Sequence, residues 1–288
     1  MEATARRLVR TGDAELEVFL GGSGGPSICT THHYLAHQDL ARSARTAPFL
    51  DALAGAGRLV SVNPRGVGGS SPAATPDVLS MRRLVDDLEA ARLALGGEPW
   101  VFAGATIGAM VGLHYALRYP RTLRGLIVSG GAPSWRFVEE PGSIYHPSHP
   151  RRRELDEAAA LLHDPEASAA DRRRWSELVV ALSTHKEELL PAFLAGAGED
   201  TVRPRLQAFG EEIRGRSYDV SDRLGEIAVP TLILCGRLDP QVPIRQSELL
   251  HDGIPHSELV AFEKSGHFPY AEEPEKFSAT VRRFVRDL

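Results

Sequence analysis

The sequence feature that most constrains this chain is its GATIG segment, residues 104–108. The apolar residues 100–103 before it are typical of a short buried strand, and residues 109–118 after it are typical of a helix. In an elbow, the chain turns so sharply from strand to helix that the residue at the turn is forced to positive φ, and flanking glycines leave room for that turn. The segment has the form of a G-x-S-x-G elbow with threonine in the serine position. Because a β-branched residue is disfavoured at positive φ, Thr106 is either a strained functional choice or the mark of a site that no longer attacks a substrate.

Short apolar runs recur along the chain, and helical patterns lie between them. The runs are residues 16–20, 26–30, 59–62, 101–103, 126–128, 231–234 and 258–262. The first alternates and predicts an edge strand, whereas several others are continuously apolar, as expected for parallel strands covered on both faces. Helical spacing of apolar residues extends over 81–95 and 273–284. The alternation predicts an α/β fold with a doubly wound, mostly parallel sheet.

One long segment interrupts this alternation. Residues 134–224 contain no convincing strand pattern, but amphipathic helical patterns occur at 154–163, 170–183 and 186–194. Two arginine runs in this segment predict solvated helix faces, with anion binding as the alternative. An all-helical insertion between two late strands is most simply a cap over the carboxyl edge of the sheet. The predicted division is a core of residues 1–133 and 225–288 with a helical cap of residues 134–224.

Composition narrows the class of protein. The formal net charge is −5 and the charged fraction is 25%, which gives no indication of nucleic acid or an anionic membrane as a partner. No apolar run approaches the ~20 residues needed to cross a bilayer, and the first residues lack the apolar region of a signal peptide. Cys29 and Cys235 lie in apolar runs and are expected to be buried thiols without a disulfide. We therefore expect a cytoplasmic protein that acts on a small molecule, with its oligomeric state left open.

Two further residues could complete a catalytic group with Thr106. Asp239 and His267 each follow a predicted strand, and the chain order is hydroxyl, carboxylate, histidine. The carboxyl ends of strands are where doubly wound sheets gather their catalytic groups. A hydroxyl needs an imidazole to take its proton, and the imidazole needs a carboxylate to hold its tautomer and stabilise its charge. Asp239 could instead cap the helix after Pro240, and His267 could stand there by chance.

An oxyanion hole should accompany such a group, built from two backbone N–H donors. One candidate is Ile107, the residue after the nucleophile position. The other should come from the loop after the strand at 26–30, where the sequence is THHY, and we choose Tyr34.

The histidines near this loop have two interpretations. His32 and His33 are candidate substrate-binding residues because they lie in the predicted oxyanion loop. His33 and His37 are four residues apart and could suggest a metal site, but only Asp39 lies near them in sequence and no H-E-x-x-H pattern occurs. We predict neither a metal nor a cofactor. His114, inside the helix after the elbow, is expected to be a packed core histidine.

Taken together, these motifs resemble the α/β-hydrolase superfamily, and within it the proline iminopeptidase-like branch. NPRGVGGS at 63–70 is similar to a D-x-R-G-x-G-x-S turn of that family, GRLD at 236–239 to its acid turn, and the Gly-His pair at 266–267 to its histidine loop. The THHY segment departs from the family's H-G oxyanion loop because it lacks the glycines. The resemblance implies a hydrolase fold in which the helical cap shapes an acyl or aminoacyl pocket.

An iminopeptidase of this kind also needs acidic cap residues to receive a free amine. Glu139, Glu140 and Asp156 are available for that role.

Three functions, and one further explanation of Thr106, remain compatible with the sequence. The leading one is hydrolysis or transfer of an acyl or aminoacyl group of a small ester, thioester or amide through Thr106, His267 and Asp239. A lyase, isomerase or cyclase would use His267 as a general base without covalent attack. A pseudo-hydrolase would bind a small apolar ligand under the cap. Thr106 could also be an introduced substitution of a natural serine.

Overall fold

A computed structural model describes residues 5–33, 35–164, 166–195 and 203–288. Within these ranges eight strands form one sheet: β1 (Ala5–Thr11), β2 (Ala14–Gly21), β3 (Ser27–Thr31), β4 (Arg58–Val62), β5 (Trp100–Ala105), β6 (Leu123–Ser129), β7 (Thr231–Gly236) and β8 (Ser257–Phe262). The α-helices are α1 (His37–Arg42), α2 (Ala47–Ala54), α3 (Met81–Ala94), α4 (Ile107–Arg118), α5 (Arg152–His163), α6 (Ala169–Ser183), α7 (Leu190–Ala195), α8 (Arg203–Arg214), α9 (Ile244–Gly253), α10 (Pro269–Glu272) and α11 (Pro274–Arg286). Short 3-10 turns occur at Pro76–Leu79, Trp135–Glu139, Glu187–Leu189 and Ser221–Glu226.

The strand order is β1-β2-β4-β3-β5-β6-β7-β8. The pairs β1–β2 and β2–β4 are antiparallel, and every pair from β4–β3 to β7–β8 is parallel, so β2 is the one strand of this sheet that runs against the others. The predicted α/β fold with a mostly parallel sheet is confirmed. The prediction of an edge strand at 16–20 is wrong, because β2 pairs with β1 on one side and β4 on the other. The edge strand is β1, whose sequence ARRLVRT leaves most of its side chains exposed and gave no apolar run to detect.

Two apolar layers cover the sheet, one on each face. Trp100 and Phe102 of β5 pack with α3 and α4, whereas Val101 and Ala103 of the same strand pack with α2 and α11. Successive residues of a strand point to opposite faces, so a continuous apolar run such as β5 contributes to both cores. This explains why the middle strands read as uninterrupted apolar segments.

The segment between β6 and β7 is helical where it is described. It contains α5, α6, α7 and α8. An isolated β-bridge joins Ser134 to Asp219, and neither residue belongs to a named strand. The Tyr218 hydroxyl donates to the Ala132 carbonyl at 2.5 Å, which ties the segment to the residues that follow β6. The division of the chain into a core and a cap at residues 134 and 224 stays a prediction.

Two smaller expectations concern cysteines and membrane spans. Cys29 and Cys235 are both buried and free, as predicted. Across the described ranges, every helix is too short or too polar to cross a bilayer.

Candidate active site

The turn between β5 and α4 has the strained geometry that the GATIG segment predicts. Thr106 has φ 57° and ψ −120°, and its N–H donates to the Ser129 carbonyl at 2.8 Å. A Cβ on Gly104 would collide with the Gly108 carbonyl, and one on Gly108 would lie 2.9 Å from the Thr31 carbonyl. Both glycines are therefore required by close backbone approach. Positive φ on a β-branched residue costs on the order of 1–3 kcal/mol, and such strain is typical of functional sites.

Thr106, His267 and Asp239 are brought together at the carboxyl edge of the sheet. The Thr106 hydroxyl lies 2.8 Å from His267 Nε2, and His267 Nδ1 lies 2.7 Å from Asp239 Oδ2. With Nδ1–H donating to the carboxylate, Nε2 is the acceptor for the threonine proton. His267 and Asp239 are 2% and 5% exposed, whereas Thr106 is partly exposed, so the hydroxyl is the accessible end of the chain of hydrogen bonds.

The carboxylate of Asp239 is fixed by the loop that carries it. Its Oδ1 accepts from the N–H groups of Gln241 and Val242 at 2.8 and 3.0 Å, which leaves Oδ2 for His267. The predicted alternative, in which Asp239 caps the next helix, is wrong, because α9 begins later and has Pro243 at its N-cap position. Asp239 therefore stabilises a tight turn and orients the imidazole at the same time.

Of the two predicted oxyanion donors, one lies within the described residues. Ile107 is the first residue of α4, and N–H groups in the first turn of a helix have no intrahelical acceptor. The positive end of the helix dipole also favours negative charge at this point. Tyr34 lies outside the described residues.

Of the histidines after β3, His33 and His37 are buried and His32 is half-buried. His33 is 1% exposed, and its Nε2 lies 3.0 Å from the Arg205 carbonyl, while Nδ1 of His32 accepts from the Leu35 N–H at 3.1 Å. Burial lowers the pKa of both rings to about 3, so both are neutral at pH 7. Burial lowers the pKa of His37 to about 4. In the described part of the chain, no group of three His, Cys, Asp or Glu side chains could hold a metal ion.

One residue that the sequence did not reveal is a glycine that packs against His267. Gly130 follows β6 with φ 58°, and a Cβ there would lie 3.1 Å from His267 Cε1 and 3.6 Å from Asp239 Oδ2. The sequence signal was a Gly-Gly pair directly after a buried strand, which by itself did not indicate what the glycine approaches.

Sequence reasoning also missed the contact between α6 and the histidine loop. The His267 N–H donates to the Ser183 carbonyl at 3.0 Å, at the last residue of α6. The carboxylate of Glu272, 1% exposed, accepts from the N–H groups of His185, Lys186 and Phe268 at 2.7, 3.2 and 3.2 Å. One buried carboxylate therefore joins the helical segment to the backbone beside His267.

The three acidic residues considered for amine binding are already engaged. Glu139 pairs with Arg216 at 3.3 Å and Asp156 with Arg152 at 2.8 Å, both at exposed positions. Glu140 accepts from the side-chain amide of Gln246 at 2.9 Å.

Known proteins resemble this chain both in sequence and in fold. The family model of the alpha/beta hydrolase fold matches residues 40–274. The chain belongs to this family. A solved structure of an alpha/beta fold family hydrolase from Bacillus anthracis superposes on this α/β hydrolase with a TM-score of 0.85, at 30% identity and over 99% of each chain. An esterase from Exiguobacterium antarcticum gives a TM-score of 0.74, at 25% identity and over 98% of this chain and 100% of its own.

Among curated relatives, the proline iminopeptidase of Saccharolobus solfataricus is 27% identical over 96% of this chain and 86% of its own length. The similarity to the proline iminopeptidase-like branch is thereby confirmed. The relatives carry the names of hydrolases, and they support the assignment of this chain to that class of enzyme.

Proposed function

We propose that this α/β hydrolase cleaves a small acyl ester by covalent catalysis. The Thr106 oxygen attacks the ester carbonyl carbon while His267 Nε2 takes the hydroxyl proton. The tetrahedral oxyanion is bound by the N–H of Ile107 and, as the second donor, that of Tyr34. His267 then passes its proton to the departing alcohol, and an acyl-threonine forms.

Water completes the cycle on the same groups. His267 takes a proton from water, the resulting hydroxide attacks the acyl carbon, and the Thr106 oxygen leaves with the proton from Nε2. Asp239 stabilises the imidazolium in both halves through Nδ1. The observation that carries this proposal is the pair of contacts of 2.8 and 2.7 Å that links Thr106, His267 and Asp239.

The partners of the three acidic residues favour an ester over an aminoacyl substrate. A free α-amine needs an available carboxylate, and Glu139, Glu140 and Asp156 each have a partner. Residues 134–224 would act in this proposal as a cap, and α6 would hold the histidine loop through Ser183. The proposed substrate is a small molecule, and no cofactor takes part.

The test is steady-state hydrolysis of 4-nitrophenyl butyrate by four variants. Thr106→Ala and His267→Ala should each abolish turnover, and Thr106→Ser should keep or raise it, because serine lacks the methyl group beside the attacking oxygen. Thr280→Ala on α11 is the matched control, since its hydroxyl is exposed and donates to the Lys276 carbonyl of its own helix. Equal turnover by wild type and Thr106→Ala would refute covalent attack by Thr106 and favour His267 acting as a general base alone.

A further inference from the structure

Glu272 is a buried carboxylate that takes no part in the proposed reaction steps. It is 1% exposed and is the last residue of α10, the short helix that follows His267. Its Oε2 accepts from the Phe268 N–H at 3.2 Å, and its Oε1 accepts from the N–H groups of His185 and Lys186 at 2.7 and 3.2 Å. The two oxygens of one side chain therefore bind two backbone segments that are far apart in sequence.

The same two segments also meet at the backbone of His267. The His267 N–H donates to the Ser183 carbonyl at 3.0 Å, at the end of α6. A Cβ on Gly266 would lie 2.3 Å from that carbonyl and 3.2 Å from the His185 nitrogen, so a side chain at this position would push the two segments apart. Glu272 binds both segments immediately beside this close approach.

Aromatic packing extends the junction from the backbone to the imidazole. The Phe268 ring has an edge contact with Phe193 of α7, with ring centroids 5.8 Å apart, and another with the His267 ring at 5.3 Å. Phe193 and Phe268 are both buried. The imidazole is therefore linked to the helical segment through its own backbone and through a packed ring.

The place of His267 in the sheet makes this support necessary. Thr106 follows β5 and Asp239 follows β7, whereas His267 follows β8, the last strand of the described sheet. The histidine loop thus has the end of β7 on one side and residues 183–186 on another. Any displacement of the ring must lengthen its contacts of 2.8 Å to Thr106 and 2.7 Å to Asp239.

We propose that Glu272 is a positioning residue for His267. It holds residues 183–186 on the histidine loop, and this contact keeps Nε2 within reach of the Thr106 hydroxyl. Because both of its oxygens bind backbone N–H groups, Glu272 acts through His267 and not on the substrate. The proposal rests on the proposed function for the reacting hydroxyl, but the position of the imidazole can be measured without turnover.

The first test is steady-state hydrolysis of 4-nitrophenyl butyrate, well below the Tm of every variant. Glu272→Gln should lower kcat about 5- to 20-fold with little change in KM, because a reacting group that is displaced by a fraction of an ångström slows the chemical step. Glu272→Ala, which removes both acceptors, should lower kcat further. A wild-type kcat in Glu272→Gln, or a change confined to KM, would overturn the proposal.

Two controls separate positioning from loss of stability. Glu275→Gln makes the same substitution at an exposed position of α11 and should match the wild type in kcat and Tm. Gly12→Ala should lower the Tm through its φ of 65°, but it should keep the wild-type kcat, because a Cβ there meets nothing within 4 Å. A kcat of Gly12→Ala as low as that of Glu272→Gln would assign the effect to stability and contradict the proposal.

The second test observes the imidazole by proton NMR and needs no substrate. The Nδ1 proton shared with Asp239 should give a far-downfield signal in the wild type and in Thr106→Ala, and His267→Ala should lack it. Glu272→Gln should broaden or abolish this signal, because the ring leaves the carboxylate for part of the time, whereas Gly12→Ala should keep it. An unchanged signal in Glu272→Gln, or none in the wild type, would refute the positioning role.

Together the tests distinguish this proposal from the proposed function. Hydrolysis by the wild type with an undiminished kcat in Glu272→Gln would refute the positioning role and leave the ester reaction standing. An inert wild type whose imidazole signal is lost in Glu272→Gln would refute the ester reaction and leave the positioning role standing.

Discussion

Gly130 allows a sharp test of how closely His267 is packed. Substitution by alanine introduces a Cβ 3.1 Å from His267 Cε1 and 3.4 Å from Nδ1. Ordinary carbon contacts begin at ~3.5 Å, so the ring must move by about 0.4 Å. It cannot move freely, because Thr106 and Asp239 hold its two nitrogens at 2.8 and 2.7 Å.

The size of the effect follows from that displacement. A misplacement of ~1 Å can reduce catalysis ~100-fold, so a shift of about 0.4 Å should reduce kcat/KM by roughly 5- to 10-fold. Gly130 also has φ 58°, and alanine at such a φ costs ~1–2 kcal/mol of folding free energy. We therefore expect Gly130→Ala to lose both activity and stability.

Gly12→Ala separates the two losses. Gly12 has a similar φ of 65°, but a Cβ there meets nothing within 4 Å. The Gly12→Ala substitution should lower the Tm about as much as Gly130→Ala does, and it should leave hydrolysis of 4-nitrophenyl butyrate unchanged. Full activity in Gly130→Ala, or an equal loss of activity in both variants, would refute the packing argument.

Three further predictions test the surroundings of the site. Asp239→Asn should lower kcat about 10³- to 10⁴-fold with little change in KM, since the amide cannot stabilise the imidazolium; a loss below tenfold would contradict the role of Asp239. Glu272→Gln should lower the unfolding free energy by ~1–3 kcal/mol, because one carboxylate oxygen becomes an NH2 group that cannot accept, as from the buried N–H of Phe268. Glu275→Gln, at an exposed position, should leave the unfolding free energy unchanged in a denaturant titration. Burial lowers the pKa of His37 and His114 to about 4 in the folded protein. Between pH 6.5 and 4 the unfolded chain therefore binds more protons than the folded chain does. The free energy of unfolding should decrease as the pH falls through that interval, by up to about 1.4 kcal/mol per pH unit for each ring. His114→Asn should make that fall shallower in urea titrations at pH 7, 6 and 5, and an unchanged slope would contradict the assignment.

The sequence predicted the central sheet well because its strands carry their signal locally. The runs at 59–62 and 231–234 are apolar on both faces, and they correspond to β4 and β7. β1 was missed because an edge strand needs little apolar surface, and here arginines occupy three of its seven positions. α8 was missed for a related reason, since its contacts with the rest of the molecule come from a few buried side chains such as Phe209.

The residues of the candidate site also differ in whether the sequence alone could reveal them. Thr106, Asp239 and His267 could be found because each lies in a short motif at the end of a strand. Gly130 and Glu272 could not, because what they contact is distant in sequence: His267 and the N–H groups after α6. A glycine or a charged residue carries no local signal of such a contact.

Covalent attack by Thr106 can be detected by intact-protein mass spectrometry after exposure to a small fluorophosphonate. We expect one adduct on the wild type, located at Thr106 by peptide mapping and absent from Thr106→Ala and His267→Ala. Thr106→Ser should react at least as fast. An adduct on Thr106→Ser alone would contradict the claim, because it would mean that His267 and Asp239 can activate a hydroxyl at this turn but that the threonine does not attack.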